Sequence, residues 1–327
     1  FSIIVDAVAD APEVDALDNA GDEGVALAVD ISALTGEEVN NGVGLDDGSE
    51  SIVNYEISGV PAGFTLSAGT ETSPGSGVYI LTAGELAGLT VTPNDPNFSG
   101  SINLEATVFT TENPVTDGEF DTTNNDNQDT DSFTLTWNPV ADEPILKVED
   151  AQVKEDGSVF VPVDAQLTDT DGSEFLTITV DGIPDDWDLT GAGWVQTGPN
   201  TYEITVAAGD DYTDGFTLTP PADSDVDLTG ITVTATSTET GNGDTSSASE
   251  EIDVIVDAVA DDADVDGLNN AGAENTPLDV DITGSAGDTD GSETVVKYQI
   301  SDVPDGFTFN QGTDPVSYTH LRAHETS

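Results

Sequence analysis

From Ser158 to Leu167 the chain alternates strictly, with Val159, Val161, Val163, Ala165 and Leu167 on one parity and Phe160, Pro162, Asp164 and Gln166 on the other. The same two-residue period marks Leu176-Ile178-Val180, Tyr202-Ile204-Val206, Ile231-Val233-Ala235, Ile252-Val254-Val256 and Phe133-Leu135-Trp137. Successive side chains of a strand point to opposite faces, so this pattern predicts strands with one buried and one wet face. Thr and Val fill the runs, while Gly, Pro, Asp and Asn separate them. No window sustains a helical period.

Four short elements recur in one order. Val5-Asp6-Ala7-Val8-Ala9-Asp10 returns as Val256-Asp257-Ala258-Val259-Ala260-Asp261, with Asn138-Pro139-Val140-Ala141-Asp142 between them. Asp169-Thr170-Asp171-Gly172-Ser173-Glu174 returns as Asp288-Thr289-Asp290-Gly291-Ser292-Glu293 and, more loosely, as Asp46-Asp47-Gly48-Ser49-Glu50. Gly59-Val60-Pro61, Gly182-Ile183-Pro184 and Asp302-Val303-Pro304 form a third set; Glu23, Glu155 and Glu274 begin a fourth. Asp142 and Asp261, Asp171 and Asp290, and Glu155 and Glu274 are each 119 residues apart. A fixed period of several elements is the mark of a tandem array. About seven short strands per period give the pattern of an immunoglobulin-like sandwich.

The expected fold is therefore all-β, built of tandem immunoglobulin-like or cadherin-like β-sandwich repeats. The boundaries read as the last strand of a preceding repeat (1–8), repeat 1 (9–139), repeat 2 (140–258) and a truncated repeat 3 (259–316). Repeat 1 is longer because Thr116–Asp131, rich in Asp and Asn, reads as a long solvated loop. Residues 317–327 break both pattern and composition, hold both histidines, and read as an adaptor-derived tail outside the fold.

Charge changes the picture most. The 327 residues carry 66 Asp and Glu against 4 Lys and Arg, a formal net charge of -62. Such like charge strains a compact state by self-repulsion and calls for counterions. Hard divalent cations, calcium above all, are the natural ones, because carboxylate oxygen is their preferred ligand. Nucleic acid is excluded as a partner for want of a basic surface, and no apolar run is long enough for a membrane span. With no cysteine there is no disulfide framework and no thiol nucleophile.

The acids cluster at the repeat boundaries and in the Asp-x-Asp loop. In a sandwich of this kind the first strand leaves the linker, so its turn lies at the far pole; the loop after the second strand returns to the linker. One junction is thus expected to gather Glu23 from the domain above, Asn138 and Asp142 (with Glu143) from the linker, and Asp169 and Asp171 (with Glu174) from below. At the next junction the corresponding set is Glu155, then Asp257 and Asp261, then Asp288 and Asp290. Asp6, Asp10, Asp46, Asp47 and Glu274 occupy matching places in the flanking copies.

The boundary Asp, the strand-turn Glu and the Asp-x-Asp loop resemble the calcium-ligand scheme of cadherin-type repeats. Followed by Gly-Val/Ile-Pro, they are similar to repeats of giant bacterial RTX-type adhesins exported by type I secretion. The resemblance implies calcium at the junctions, a secreted or cell-surface location, and a non-enzymatic extender whose immediate partners are the neighbouring repeats. Surface glycans or other cells would be met through regions outside this chain. The linkers lack the full Asp-x-Asn-Asp-Asn run, and Asn138 stands where Asp6 and Asp257 stand in the other copies. An EF-hand does not fit, since position 12 counted from Asp169 is Val180 and strands flank the loop. Two other readings remain: a glycan- or self-binding module, for which Trp187 and Trp194 are the only hint, and an accessory region of a secreted depolymerase. Trp137 reads as core.

Overall fold

The alternating runs form strands. The computed structural model describes residues 9–36, 50–112, 125–169, 171–288 and 290–311. Up to Asn138 the elements are β1 (Glu13–Leu17), β2 (Asn19–Asp22), β3 (Leu27–Ala28), β4 (Asp30–Leu34), β5 (Glu50–Ser58), β6 (Phe64–Leu66), β7 (Thr70–Glu71), β8 (Tyr79–Leu81), a one-turn helix α1 (Ala83–Leu86), β9 (Thr90–Pro93), β10 (Gly100–Glu112) and β11 (Asp126–Asn138). Then follow β12 (Ile145–Lys147), β13 (Ala151–Lys154), β14 (Val159–Gln166), β15 (Glu174–Asp181), β16 (Asp188–Thr190), β17 (Val195–Gly198), β18 (Thr201–Thr205), β19 (Tyr212–Thr219), β20 (Leu228–Glu239) and β21 (Thr245–Asp257).

The two sets have one topology. The large sheet of the first runs β2-β11-β10-β5-β8-β7 and that of the second runs β13-β21-β20-β15-β18-β17. In each, the first strand is split. β1 pairs antiparallel with β4 and β12 with β14; the chain then crosses, so that β2 lies parallel to β11 and β13 parallel to β21. These are tandem immunoglobulin-like sandwiches. Ile57, Leu104, Leu135 and Trp137 centre one core, and Val161, Ile178, Phe216 and Val233 the other. Burial of alternate residues on facing sheets is what the period-two pattern demanded.

One expectation is corrected. The segment Thr116–Asp131 is not loop throughout, because β11 begins at Asp126. Its acids are used: Asp129 and Asp131 each accept a backbone N–H of β1, from Val14 and Ala16, both at 3.0 Å. Carboxylates here replace a ladder of carbonyls, so charge alone misled.

By contacts the chain divides into two compact units, Phe1–Asp257 and Ala258–Ser327. The first holds both sandwiches. In the second, β22 (Asp264–Gly267) pairs antiparallel with β23 (Ile282–Ser285), and Val296, Phe307 and Leu268 stand exposed. Among the described residues no helix is long and apolar enough to cross a membrane.

Candidate metal centre at the linker between the two sandwiches

Three chain segments meet where β11 runs into the linker. The turn after β2 brings Glu23, whose N–H donates to the Asn138 carbonyl (2.9 Å) and whose Oε1 accepts from the Val140 N–H (2.7 Å). The loop after β14 brings Asp169, which caps its own turn: Oδ1 accepts from the Asp171 N–H (2.8 Å) and Oδ2 from the Ser173 hydroxyl (3.0 Å). Gly172, at φ +86°, makes the tight reversal that only glycine adopts freely. β15 then starts at Glu174, whose Oε1 accepts from the Asp142 N–H (2.7 Å).

A fourth contribution was missed by sequence reasoning. Glu239, at the end of β20, lies directly opposite Glu174 in the sheet register. Its Oε1 accepts from the Ser173 hydroxyl at 3.1 Å. The β20–β21 hairpin grips the linker besides: the Ser237 hydroxyl donates to the Asp142 carbonyl (2.5 Å), Asn242 Nδ2 to the Pro139 carbonyl (2.6 Å), and the Ala141 N–H to Asp244 (3.1 Å). No repeat of the Glu239 motif flagged it, for the equivalent glutamate, Glu112, sits in a differently spelled strand end.

Carboxylate oxygens of Glu23, Asp169 and Glu239 lie within 4.8 Å of one another. Asp169 is 5% exposed, Glu174 and Glu239 1%. Each glutamate has one oxygen hydrogen-bonded and the other, Oε2, buried without a hydrogen-bond partner. Among the described residues the ion pair is Lys147–Asp164, elsewhere on the surface, so no base neutralises the group. Burial, opposed by the Val140 N–H and joined by repulsion from Glu239, Asp169 and Asp171, pushes Glu23 up to about 7. Burial likewise raises Glu174 to about 7 against the Asp142 N–H, with Asp169, Glu239 and Asp142 adding repulsion. Glu239 is raised by burial, which the Ser173 hydroxyl opposes, and by its acidic neighbours. Buried carboxylates of this kind must hold protons or a cation. An all-oxygen donor set that includes buried, orphaned carboxylate oxygens fits a hard divalent cation.

Asp171 behaves differently. It is exposed, and both its oxygens are engaged: Oδ1 by the Ser173 N–H (2.6 Å), Oδ2 by the Ser99 hydroxyl (3.0 Å) and N–H (3.3 Å). Partial burial acts to raise its pKa, but these bonds from Ser173 and Ser99 outweigh it and hold the carboxyl low.

The remaining expected residues fall as follows. Asn138 offers its carbonyl to Glu23, and Asp142 is exposed with its N–H on Glu174. The Asp10 N–H donates to Glu50 and the Asp261 N–H to Glu293 (2.7 Å), so the closing glutamate of each acidic loop clasps the boundary aspartate's amide in all three copies. Glu155 is 7% exposed, and its N–H donates to the Asp257 carbonyl (3.0 Å), as Glu23 does to Asn138. Asp257 also accepts from Gln152 (2.7 Å). In the second unit Asp288, 8% exposed, accepts from the Asp290 N–H (2.8 Å) and the Ser292 hydroxyl, repeating the Asp169 turn. Glu274 is exposed. Asp6, Asp46 and Asp47 lie outside the described residues.

Comparison with known proteins adds three likenesses of low score. The chain is similar to the titin domains Z1Z2 solved in complex with telethonin (12% identity, TM-score 0.27, 77% of this chain and 100% of that one). It is similar to CaCohA2 from Clostridium acetobutylicum (11%, 0.26, 36% and 92%) and to the D00-D0 domain of intimin (10%, 0.24, 74% and 98%). At such scores they carry no argument; the sandwich assignment stands on strand order and register. No family model matches the chain. No curated protein matches it either.

The glycan signal weakens on inspection. Trp187 is 7% exposed, and Trp194 packs edge-on against Phe216 (5.4 Å between ring centroids) while its Nε1 donates to Tyr212 and Gly215. Both rings are spent on the core.

Proposed function

We propose that this chain is a non-enzymatic extender segment of a secreted surface adhesin, in which calcium bound between successive sandwiches stiffens the array. The supporting observation is the set of three buried, unpartnered carboxylate oxygens of Glu23, Glu174 and Glu239, contributed from both sides of one linker. Without a cation the group repels itself across the junction; with one, the same charges bind the two sandwiches together. Glu23 belongs to the first sandwich and Asp169, Glu174 and Glu239 to the second, so an ion held by Glu23 and Asp169 crosslinks them. The very acidic surface suits an extracellular setting where calcium is abundant.

The test is physical. Calcium raises the melting temperature and lengthens the particle in small-angle scattering, relative to chelator. Stabilisation grows with the logarithm of calcium concentration above the dissociation constant. Magnesium at equal concentration does less, because it demands strict octahedral geometry and sheds water reluctantly. Superimposable melting and scattering curves with calcium and with chelator rule the reading out.

A further inference from the structure

The two sandwiches are also joined by contacts that use no buried acid. The loop after β9 carries Asn97, Phe98 and Ser99 toward the acidic loop of the second sandwich. The Ser99 hydroxyl and N–H both donate to Asp171 Oδ2, and Asn97 Nδ2 donates to the Thr168 carbonyl at 3.4 Å. All the donors come from one sandwich and all the acceptors from the other.

Both sides of this contact are held rigidly. Phe98, between the two donors, packs edge-on to Phe64 and Trp137, with centroids 5.0 and 5.8 Å apart. Trp137 is 1% exposed, donates through Nε1 to the Val25 carbonyl (2.9 Å), and stands one residue before Asn138, which receives Glu23. The Asn97 N–H is fixed in turn by Asp95 (3.1 Å). On the other side, the Asp169–Asp171–Ser173 turn presents Asp171 Oδ2 outward while its own bonds occupy Oδ1. Hydrogen bonds to a charged acceptor are stronger than neutral ones, and those between preorganised groups lose little to ordering.

We infer that Asn97 and Ser99 form a cation-independent latch on the Asp-x-Asp loop of the following sandwich, with Asp171 as its bolt. This goes beyond the calcium proposal at the same junction and does not depend on it. Asp171, which the spacing marked as a ligand, aligns the sandwiches with both its oxygens engaged by hydrogen bonds. The consequence is mechanical: a junction stripped of its cation loosens about a retained contact rather than swinging free.

The chain has no cysteine, so a spin-label pair can be placed cleanly at exposed Ser73 and Gln196, one on each sandwich, as Ser73→Cys and Gln196→Cys. Inter-label distance distributions are recorded on the full chain in chelator and in calcium. In chelator, the added substitutions Asn97→Ala and Ser99→Ala raise the ratio of bent to aligned molecules about fivefold. Asn97 and Ser99 are half-buried in a loop outside both sheets, and circular dichroism checks that the sandwiches persist. Restoring Asn97 and placing Ser99→Thr, which keeps the hydroxyl, returns the parent distribution. A double variant whose distribution in chelator equals the parent's overturns the latch, whatever calcium does. Broadening of the double variant when calcium leaves the parent unchanged upholds the latch and removes the calcium reading alone.

Discussion

Glu174 and Glu239 face each other across adjacent strands, each 1% exposed and each with one oxygen left without a partner. Directly opposed like charges destabilise a sheet, and burial compounds the cost. The first sandwich also sets two buried glutamates opposite each other, Glu112 and Glu50. The proposed cation would relieve the repulsion of an unfavourable pair that the fold builds twice at the same register.

Replacing Glu239 by Gln therefore has opposite effects in two conditions. In chelator the melting temperature rises, because a buried repulsion disappears. In calcium it falls, because the donor charge is lost, with affinity about tenfold weaker. Scanning calorimetry in both conditions reads the crossing; a shift of the same sign in each contradicts it.

The pH dependence without divalent metal carries a definite sign. Glu23 and Glu174 have folded values near 7 against an ordinary 4.5. Between those values the folded state binds more protons than the unfolded state, so stability falls as pH rises from about 4.5 to 7. Calcium favours the ionised form, so its stabilising effect grows over the same interval. Urea melts at stepped pH, with and without calcium, should diverge as pH increases.

Substituting Asp129 and Asp131 by Ala tests the strand correction. Each loses one charge-assisted bond to β1, together costing about 2–4 kcal/mol before allowance for exposure. Hydrogen exchange at the Val14 and Ala16 amides should accelerate while β10 amides stay protected. Unchanged exchange at those two amides counts against the carboxylate ladder.

Trp137→Ala removes the largest buried side chain of the first core, at a cost of about 3–5 kcal/mol. The second core shares no residue with the first, so amides of Ile178 and Val233 should keep their protection. Loss of protection in both sandwiches together would point to one cooperative unit.

The repeats and the strand alternation carried most of the fold, because a period of two and a period of 119 residues are both visible without coordinates. Glu23 and Asp169 were also legible, since strand polarity fixes which turns return to a linker. Glu239 was not: it becomes significant only through its register with Glu174, a long-range pairing that local sequence does not display. Asp171 was visible but its bond to Ser99 was not, because Ser99 lies 72 residues upstream with no recurring motif to announce it. The Asp126–Asp131 strand was hidden by composition; the carboxylates that suggest solvent in fact bind backbone amides.

Calorimetric titration of the intact chain with calcium, set beside the Glu23→Gln, Glu239→Gln double variant, bears on the central proposition most directly. The account expects the variant to lose one class of binding event while the others persist, with the lost heat matching sites at the linker between the sandwiches. Identical isotherms for parent and variant, or an absence of binding heat in the parent, would show that these buried carboxylates do not hold the ion.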